Sequence, residues 1–469
     1  MQSNSQRSML TTQLSPKALQ TVEECELGIV GHKVFVRLKD IPMYLSKRTK
    51  DSIRNRYSHS MEVGLSTEYI LNHLSRQLGN DVDLNFFKIG KIVGLLHDIG
   101  HTAFSHDGET ILDTMLQKAS ATLDSPLRFN ANLNNFRRIL KYEFYENLPE
   151  DVREYALASL VKRVHELEEY PEYLYLKQYV LNAIALEEKY LGSKGIMIQN
   201  ITGKTILCQA MDLADENRYR VTDIIDSLNI YTKEKLQEIL LRSIKSEVRV
   251  KDIRKLVYLK TLTVPGYESV HYDKMKIKEL LIALLNRSSN AKTEFQNTMN
   301  AISMAFNRNF RLREDGKLVP VDDEIEALRK EFQKVAAKYL WGSKKVQNIK
   351  KPFSHYFTTV ADYFINKEFD LELIDSNTYK EKLTELQMSN IGEEVYLREK
   401  LSLMRNFLGG LTNLKIMEIY KKISLLKFEA ELGYQLDNRD KLVDKHTVEA
   451  FEKKLEKKRQ RLLKKRSHV

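Results

Sequence analysis

Residues 92–109 constrain the fold more than any other stretch of this chain. An apolar run over 92–96 leads into residues 97–109, which hold three histidines and three acidic side chains. Gly100 interrupts the apolar pattern just after His97 and Asp98, which predicts a buried helix that ends at this pair and passes into a turn. Apolar surroundings remove water from such groups, which must then be hydrogen-bonded or bind a metal ion. By itself the stretch fits a hydrogen-bonded core histidine as well as a divalent-metal ligand.

Composition favours a large helical protein. The chain has 469 residues with only 8 Pro and 18 Gly, a scarcity that is typical of long helices rather than sandwiches or barrels. No apolar run approaches the roughly 18 residues that span a bilayer, and the N-terminus lacks the apolar core of a signal peptide. Cys25 and Cys208 are too few for a disulfide framework, so we expect a cytoplasmic protein without membrane contact. The net charge of +11 favours polyanionic partners such as nucleotides or nucleic acid.

Apolar spacing predicts helices along most of the chain. One stretch differs, because 27–46 contains a β-branched run that predicts a hairpin or a strand. Turn signals occur at Pro265-Gly266 and Asp315-Gly316. The predicted helical segments are 58–78, 85–97, 108–118, 132–145, 150–167, 172–191, 204–228, 323–341 and 380–435.

Two further segments carry residues that suit a phosphate and metal site. Residues 54–63 read R-N-R-Y-S-H-S-M-E-V and place His59 at the start of a helix behind two arginines, whose guanidinium groups suit phosphate oxygens. Asp215, Tyr219 and Asp223 are four residues apart and therefore share one helix face. Apolar residues flank this face, so its polar groups need a polar partner, which a metal-bound substrate would supply.

These segments together resemble the HD-domain phosphohydrolases. The order His59, His97-Asp98, Asp215 matches their H…HD…D pattern. The flanking residues are similar to those of the deoxyguanosine triphosphate triphosphohydrolases: 54–63 resembles R-T-R-x-T-H-S-x-E-V, 97–109 resembles H-D-I-G-H-P-P-F-G-H-x-G-E, and 214–223 resembles A-D-D-I-x-Y-x-x-x-D. Residues 129–137, F-N-A-N-L-N-N-F-R, are a weaker match to F-E-H-N-x-Q-x-x-R. The H-D-x-G-H-x-x-F-S-H run of the vertebrate SAM-and-HD-domain dNTP hydrolase is also similar.

The resemblance implies an all-α HD core that hydrolyses deoxynucleoside triphosphates to deoxynucleoside and inorganic triphosphate. The divalent metal could be Mg, Mn, Co, Fe, Ni or Zn. It also implies a role for each matched residue. The metal ligands would be His59, His97, Asp98 and Asp215; Arg56, Tyr219 and Asp223 would bind substrate; and His106, Glu109 and His101 would serve catalysis, with His106 and Glu109 as the acid/base pair.

Two departures from the family pattern affect specificity and proton transfer. The family segment L-Q-x-K-T-Q-V corresponds to residues 38–44, where Lys39 and Met43 replace its glutamines, so guanine preference is not expected. Ala131 stands where the family often has a histidine, which leaves proton transfer to His106 and Glu109.

We expect four parts: a mobile N-terminus (1–20), the phosphohydrolase core (21–235), a helical region that completes the core and makes oligomer contacts (236–435), and a basic helical tail (436–469). The family resemblance implies a homo-oligomer and a dNTP effector. The tail carries nine Lys or Arg between 453 and 466, which fits a solvated helix face or single-stranded nucleic acid. Two alternative functions stay open: another HD-domain nucleotide phosphohydrolase or phosphodiesterase, and a regulatory nucleic-acid-binding protein.

Overall fold

Helices account for nearly all regular structure in the protein, as the sequence predicts. The computed structural model describes residues 16–43, 54–79, 85–140, 148, 150–257, 273–286, 291–366, 373–374 and 376–437. Within these ranges the only strands form one short hairpin, and no helix is both long enough and apolar enough to cross a membrane. The all-α expectation is confirmed.

The chain divides into two compact units. The first comprises Met1–His101 and Ala131–Lys350, and the second comprises Thr102–Asn130 and Lys351–Val469. The four part boundaries expected from the sequence remain a prediction. The helices of the first unit are α1 (Pro16–Gly31), α2 (Lys33–Val36), α3 (Arg56–Leu78), α4 (Asn85–Leu96), α6 (Ala131–Ile139), α7 (Glu150–Ser159), α8 (Tyr175–Ser193), α9 (Ile206–Asp226), α10 (Lys233–Ser243), α11 (Val250–Val257), α12 (Ile277–Asn286), α13 (Ala291–Arg308) and α14 (Asp323–Val335), with α15 (Lys344–Asn366) starting there.

Close packing of α3 against α4 sets the position of the histidine-rich segments. Asn55 caps α3, because its side-chain oxygen accepts a hydrogen bond from the Ser58 amide at 2.9 Å. Gly64 on α3 and Gly94 on α4 face each other so closely that a Cβ on Gly94 would lie 2.7 Å from the Gly64 Cα. Without side chains at these two positions, the helix backbones approach closely and bring the ends of α3 and α4 together.

Helix α9 links two hydrophobic clusters of the first unit. Its first half, including Leu207 and Met211, belongs to a cluster with α3, α4 and α8, whereas Val221 and Ile224 belong to a second cluster with α10–α14. The polar residues 215–220 lie between these two apolar halves. Burial at both ends therefore fixes the rotation of α9 and the direction of its polar face.

Helix α9 also begins at a buried carboxylate. Glu187 on α8 is fully buried and accepts a hydrogen bond from the Ile206 amide at 2.8 Å. The Tyr155 hydroxyl donates a second hydrogen bond to the same carboxylate at 2.6 Å. Thr205 caps the helix through the Cys208 amide at 3.0 Å. Glu187 and Thr205 thus satisfy two of the free amides at the start of α9, those of Ile206 and Cys208.

The expectation of a strand or hairpin within 27–46 is wrong for the residues that the structure describes. Helices α1 and α2 cover 27–31 and 33–36, and a 3₁₀ turn, Arg37–Asp40, follows. The β-branched Ile29 and Val34 are buried together with Phe35 and Leu38, so the run packs on the buried side of helical segments rather than alternating across a sheet. Tertiary packing here overrides the β propensity of the individual residues.

The Asp315-Gly316 turn signal is confirmed. Strand β1 (Phe310–Leu312) pairs antiparallel with β2 (Leu318–Pro320), and Gly316 in the connecting turn has a φ of 73°. That left-handed backbone favours glycine. The Pro265-Gly266 signal and residues 438–469 of the basic tail lie outside the described residues, as do residues 1–15 of the expected N-terminal part, whereas α1 already begins at Pro16.

The second unit contains α5 (Ser105–Ala119), the later part of α15, α16 (Asn377–Met388), α17 (Glu393–Leu408) and α18 (Asn413–Asp437). The turn before α5 is held from α17 and α18. The Thr102 hydroxyl donates to the Leu408 carbonyl at 3.2 Å, and the Phe104 amide donates to the Asn413 side chain at 2.8 Å. Phe104 has a φ of 60°, so this turn is strained and its hydrogen bonds maintain it.

Candidate metal centre

The structure brings His59, His97, Asp98 and Asp215 together from three helices. His59 lies on the first turn of α3, His97 and Asp98 directly follow α4, and Asp215 lies at the middle of α9. The Asp215 Oδ1 is 3.0 Å from the His59 Nε2 and 3.6 Å from the His97 Nε2. The Asp98 carboxylate is 3.5 Å from the His97 Nε2 and 3.8 Å from the His59 Nε2. Three segments that are distant in the chain thus converge: the ligand atoms of His59, His97 and Asp98 all lie within 4.8 Å of one another, and Asp215 contacts both histidines.

The hydrogen bonds of His97 suit a metal ligand. Its Nδ1 is 2.7 Å from the Gly94 carbonyl, which can only accept, so this nitrogen carries the proton. The Nε2 is buried and forms no hydrogen bond with the described residues. In a neutral imidazole this nitrogen presents a lone pair towards the two carboxylates, an arrangement that a cation between them would stabilise. The donor set of two imidazoles and two carboxylates suits a divalent ion.

The charges around the two carboxylates keep both ionised. Burial by itself would raise the pKa of Asp98, but Arg56 and the neighbouring histidines hold it well below its usual range. The pKa of Asp215 is likewise well below its usual range, mainly because Lys162 opposes the effect of burial. Ionised carboxylates are the form that binds a metal.

The two histidines respond differently to the same surroundings. Burial lowers the pKa of His59 despite the neighbouring Asp215 and Asp98. For His97 burial acts in the same direction, but Asp98 and Asp215 outweigh it and raise the pKa. The two carboxylates beside His97 therefore favour positive charge at this position, whether a proton or a metal cation supplies it.

Lys162 is a site residue that the sequence analysis missed. Its Nζ is 3.0 Å from the Asp215 Oδ2 and 3.3 Å from the Asp212 Oδ1, and these carboxylates raise its pKa against the effect of burial. Lys162 lies between α7 and the 3₁₀ turn Val164–Glu169 and belongs to no sequence motif. Its contact with Asp215 arises only because α9 packs beside it.

Arg56 and His101 also contact the Asp98 carboxylate. The Arg56 guanidinium is buried and pairs with the Asp98 Oδ2. The His101 Nδ1 is 3.1 Å from the Asp98 Oδ1. Arg37, which the sequence analysis did not single out, donates to the carbonyls of Ile99 and His101 at 3.0 and 2.7 Å and so holds this loop in place.

The segment that carries Ala131 also supports the loop. Asn135 accepts from the Gly100 amide at 2.5 Å and donates to the His97 carbonyl at 2.6 Å. Asn134 donates to the Gly100 carbonyl at 2.6 Å. A Cβ on Gly100 would lie 2.2 Å from the Ala131 carbonyl oxygen, which explains why glycine is needed there. The motif resemblance located this segment, but its amides rather than a histidine contact the loop.

Asp215, Tyr219 and Asp223 share one face of α9, as their spacing predicts, but Asp223 is already engaged. Its Oδ2 accepts from the Trp341 indole at 3.0 Å, and Arg54 is 3.8 Å from its Oδ1. Burial raises the pKa of Asp223 to about 7. Tyr219 packs against the Trp341 ring with centroids 5.6 Å apart.

His106 and Glu109 both lie on α5 in the second unit, and the predicted pairing between them is present. The His106 Nδ1 is 3.2 Å from the Glu109 Oε2, across one helical turn. The His106 side chain is 78% exposed, so solvent reaches it freely. Their catalytic role stays a prediction.

Comparison with known proteins finds similar sequences over this part of the chain. Residues 56–216 match the HD domain family, a range that runs from Arg56 to one residue beyond Asp215. The chain is 25% identical over 230 residues to deoxyguanosinetriphosphate triphosphohydrolase-like protein 2 of Mesorhizobium japonicum, which covers 43% of this chain and 44% of that protein. It is 27% identical over 182 residues to the protein of the same name from Vibrio cholerae, covering 38% and 39%. A deoxyguanosinetriphosphate triphosphohydrolase-like protein of Bordetella pertussis is 26% identical over 213 residues, covering 45% and 48%.

These matches confirm the HD-domain, dGTPase-like relationship inferred from the motifs. The chain carries an HD domain, and the matched region spans less than half the length of each of these relatives.

Proposed function

We propose that this protein is a metal-dependent hydrolase of deoxynucleoside triphosphates that releases the deoxynucleoside and inorganic triphosphate. The observation that carries the proposal is the convergence of His59, His97, Asp98 and Asp215 from three helices within the HD domain. The names of the relatives support a nucleotide substrate.

His59, His97, Asp98 and Asp215 would hold the metal, whose identity among Mg, Mn, Co, Fe, Ni and Zn stays open. A divalent ion bound by these residues would lower the pKa of a coordinated water and bind phosphate oxygens. The remaining groups contribute charge. The Lys162 ammonium lies against Asp215 and the Arg56 guanidinium against Asp98, and each compensates the negative charge of its carboxylate. Both cations would lie beside the bound phosphates.

The reaction would break the bond between the α-phosphorus and the 5′ oxygen of the deoxynucleoside. A water oxygen bonds to that phosphorus, and the 5′ oxygen leaves with a proton. His106 is proposed as the group that transfers the proton, because an imidazole is effective near neutral pH. Glu109 would orient its ring through the 3.2 Å contact. His101, 3.1 Å from Asp98, is proposed to lie beside the phosphates.

Tyr219 supports the preference for deoxynucleotides. It lies one helical turn beyond Asp215 on the same face of α9, where a sugar would follow the phosphates. A phenol ring packed on the sugar leaves no room for a 2′-hydroxyl, so we expect deoxynucleotides to be hydrolysed much faster than ribonucleotides. Because Lys39 and Met43 replace the family glutamines, we expect the enzyme to accept several bases.

The decisive experiment incubates the protein with each dNTP and each NTP in turn, with Mg²⁺, Mn²⁺ or Co²⁺, and measures inorganic triphosphate. Asp215→Asn is the inactive control. We expect triphosphate release from more than one dNTP and little from NTPs. Release of orthophosphate or pyrophosphate instead would favour another HD-domain phosphohydrolase, and equal turnover of GTP and dGTP would refute the role of Tyr219.

Assembly and cellular location belong to the same proposal. We propose a cytoplasmic homo-oligomer that responds to a dNTP effector, as the family resemblance implies. Light scattering with and without each dNTP measures the mass directly. A monomer at all dNTP concentrations would refute the assembly.

A further inference from the structure

The only tryptophan of the chain, Trp341, packs against the far end of the polar face of α9. It ends a π-helical turn, Ala336–Trp341, that follows α14. The Gly342 amide donates to the Ala337 carbonyl at 2.9 Å, and Gln347 donates to the Trp341 carbonyl at 2.7 Å, so both sides of the turn are fixed. Single π-helical turns occur frequently at functional sites.

Two residues of the proposed substrate face hold the Trp341 side chain. The indole Nε1 donates to the Asp223 Oδ2 at 3.0 Å, and the ring packs against Tyr219 at 5.6 Å with an interplanar angle of 57°. The Asp223 residue is only 6% exposed, whereas Trp341 is 39% exposed. Asp223 is therefore covered by the indole, and the indole is the group that reaches solvent.

The spacing along α9 sets how far the two residues that contact Trp341 lie from Asp215. An α-helix rises 1.5 Å per residue, so Tyr219 lies about 6 Å and Asp223 about 12 Å along the axis from Asp215. A nucleotide whose phosphates bind near Asp215 and that runs along this face would place its sugar at Tyr219 and its base at Trp341. Base–aromatic stacking is largely independent of base identity, because each base has a π-face.

We propose that Trp341 stacks on the nucleobase of the substrate and that Asp223 is a positioning residue that acts through the indole. This inference rests on the proposed nucleotide substrate. It revises the expectation that the Asp223 carboxylate itself binds the substrate, and it gives a physical reason for a broad base preference.

A single tryptophan makes the stacking directly measurable. The wild-type protein with Mg²⁺ and saturating tripolyphosphate, which cannot be turned over, is titrated with each of the four deoxynucleosides while tryptophan emission is recorded. We expect saturable quenching by all four deoxynucleosides and no change on adding tripolyphosphate alone. No quenching by any deoxynucleoside refutes the stacking.

Variants separate stacking from a structural role. Trp341→Ala should raise KM by roughly 5- to 150-fold, the range typical of losing one base–aromatic stack, with kcat nearly unchanged. Trp341→Phe keeps a ring and should restore most of the affinity. Asp223→Asn keeps an acceptor for the indole and should resemble the wild type, whereas Asp223→Ala should raise KM in the same way as Trp341→Ala. An unchanged KM in Trp341→Ala, or a fall in kcat alone, refutes the inference.

The two proposals fail separately. Triphosphate release without deoxynucleoside quenching would leave the proposed function intact and remove the role of Trp341. Quenching by deoxynucleosides without hydrolysis of any dNTP would refute the proposed function while supporting a nucleoside-binding Trp341.

Discussion

Gly94→Ala tests whether the close approach of α3 and α4 sets the geometry of the metal centre. The added Cβ would lie 2.7 Å from the Gly64 Cα and 2.9 Å from both the Gly64 amide nitrogen and the Thr67 hydroxyl. Two of these three atoms are backbone, so no rotamer change relieves the clash. Reaching ordinary van der Waals separation requires the helices to move apart by about 0.7 Å.

That displacement acts on stability and on the site together. Overpacking of this kind costs about 1–3 kcal/mol, which corresponds to a fall in Tm of about 2–4 °C per kcal/mol in domains of 150–250 residues. His97 lies three residues after Gly94 and contacts its carbonyl, whereas His59 lies on α3, so the two imidazoles separate. A misplacement near 1 Å can cost about 10²-fold in rate, so we expect a loss of roughly 10- to 100-fold.

The assay compares Tm by circular dichroism, bound metal by elemental analysis, and dNTP turnover. Gly192→Ala is the matched control, because Gly192 also lies on a helix of the first unit and a Cβ there meets nothing within 4 Å. The control should change stability by no more than about 1 kcal/mol, in the stabilising direction. If Gly94→Ala matches this control in Tm and metal content, the helix contact does not set the site.

Three further changes test other parts of the structure. Asp215→Asn should abolish metal binding and turnover, because an under-coordinated ion is released, and the helical circular dichroism should stay intact. Asp315→Asn in the hairpin turn is the control. Unchanged metal content in Asp215→Asn would contradict the ligand assignment. His106→Ala should lower the rate of the chemical step by roughly 10²- to 10⁴-fold and leave KM unchanged, as measured by single-turnover and steady-state kinetics. If this variant keeps the full rate, another group transfers the proton. Burial raises the pKa of Glu187 from 4.5 to about 8, so the contribution of this side chain to the free energy of unfolding is complete below pH 4.5 and is lost as pH rises through 8. The free energy of unfolding in urea, measured at pH 6 and 8.5, should change less with pH in Glu187→Gln than in the wild type. Equal changes in the two proteins would rule out this titration.

The helical architecture followed from local information. Scarce Pro and Gly and apolar residues at helical spacing are properties of short windows of sequence, which is why α3, α8, α9 and α14 lie within or near their predicted ranges. The prediction for 27–46 is wrong because β-branched residues also pack on a helix face when that face is buried, as Ile29 and Val34 are here.

The sequence by itself also identified the candidate metal ligands, because the order His59, His97-Asp98, Asp215 is a motif that can be found by inspection. Only the tertiary structure decided what these residues contact. Lys162, Arg37 and Trp341 carry no motif, because each acquires its role only through contact with a loop or helix that is distant in the chain. The motif resemblance located the segment of Asn135 but did not predict the hydrogen bond from its side chain to the His97 carbonyl. The same holds for Asp223, which spacing places on the substrate face and which packing covers with an indole. Helical periodicity specifies which side of one helix a residue occupies, whereas the neighbour on that side is chosen by long-range packing, which no short window of sequence contains.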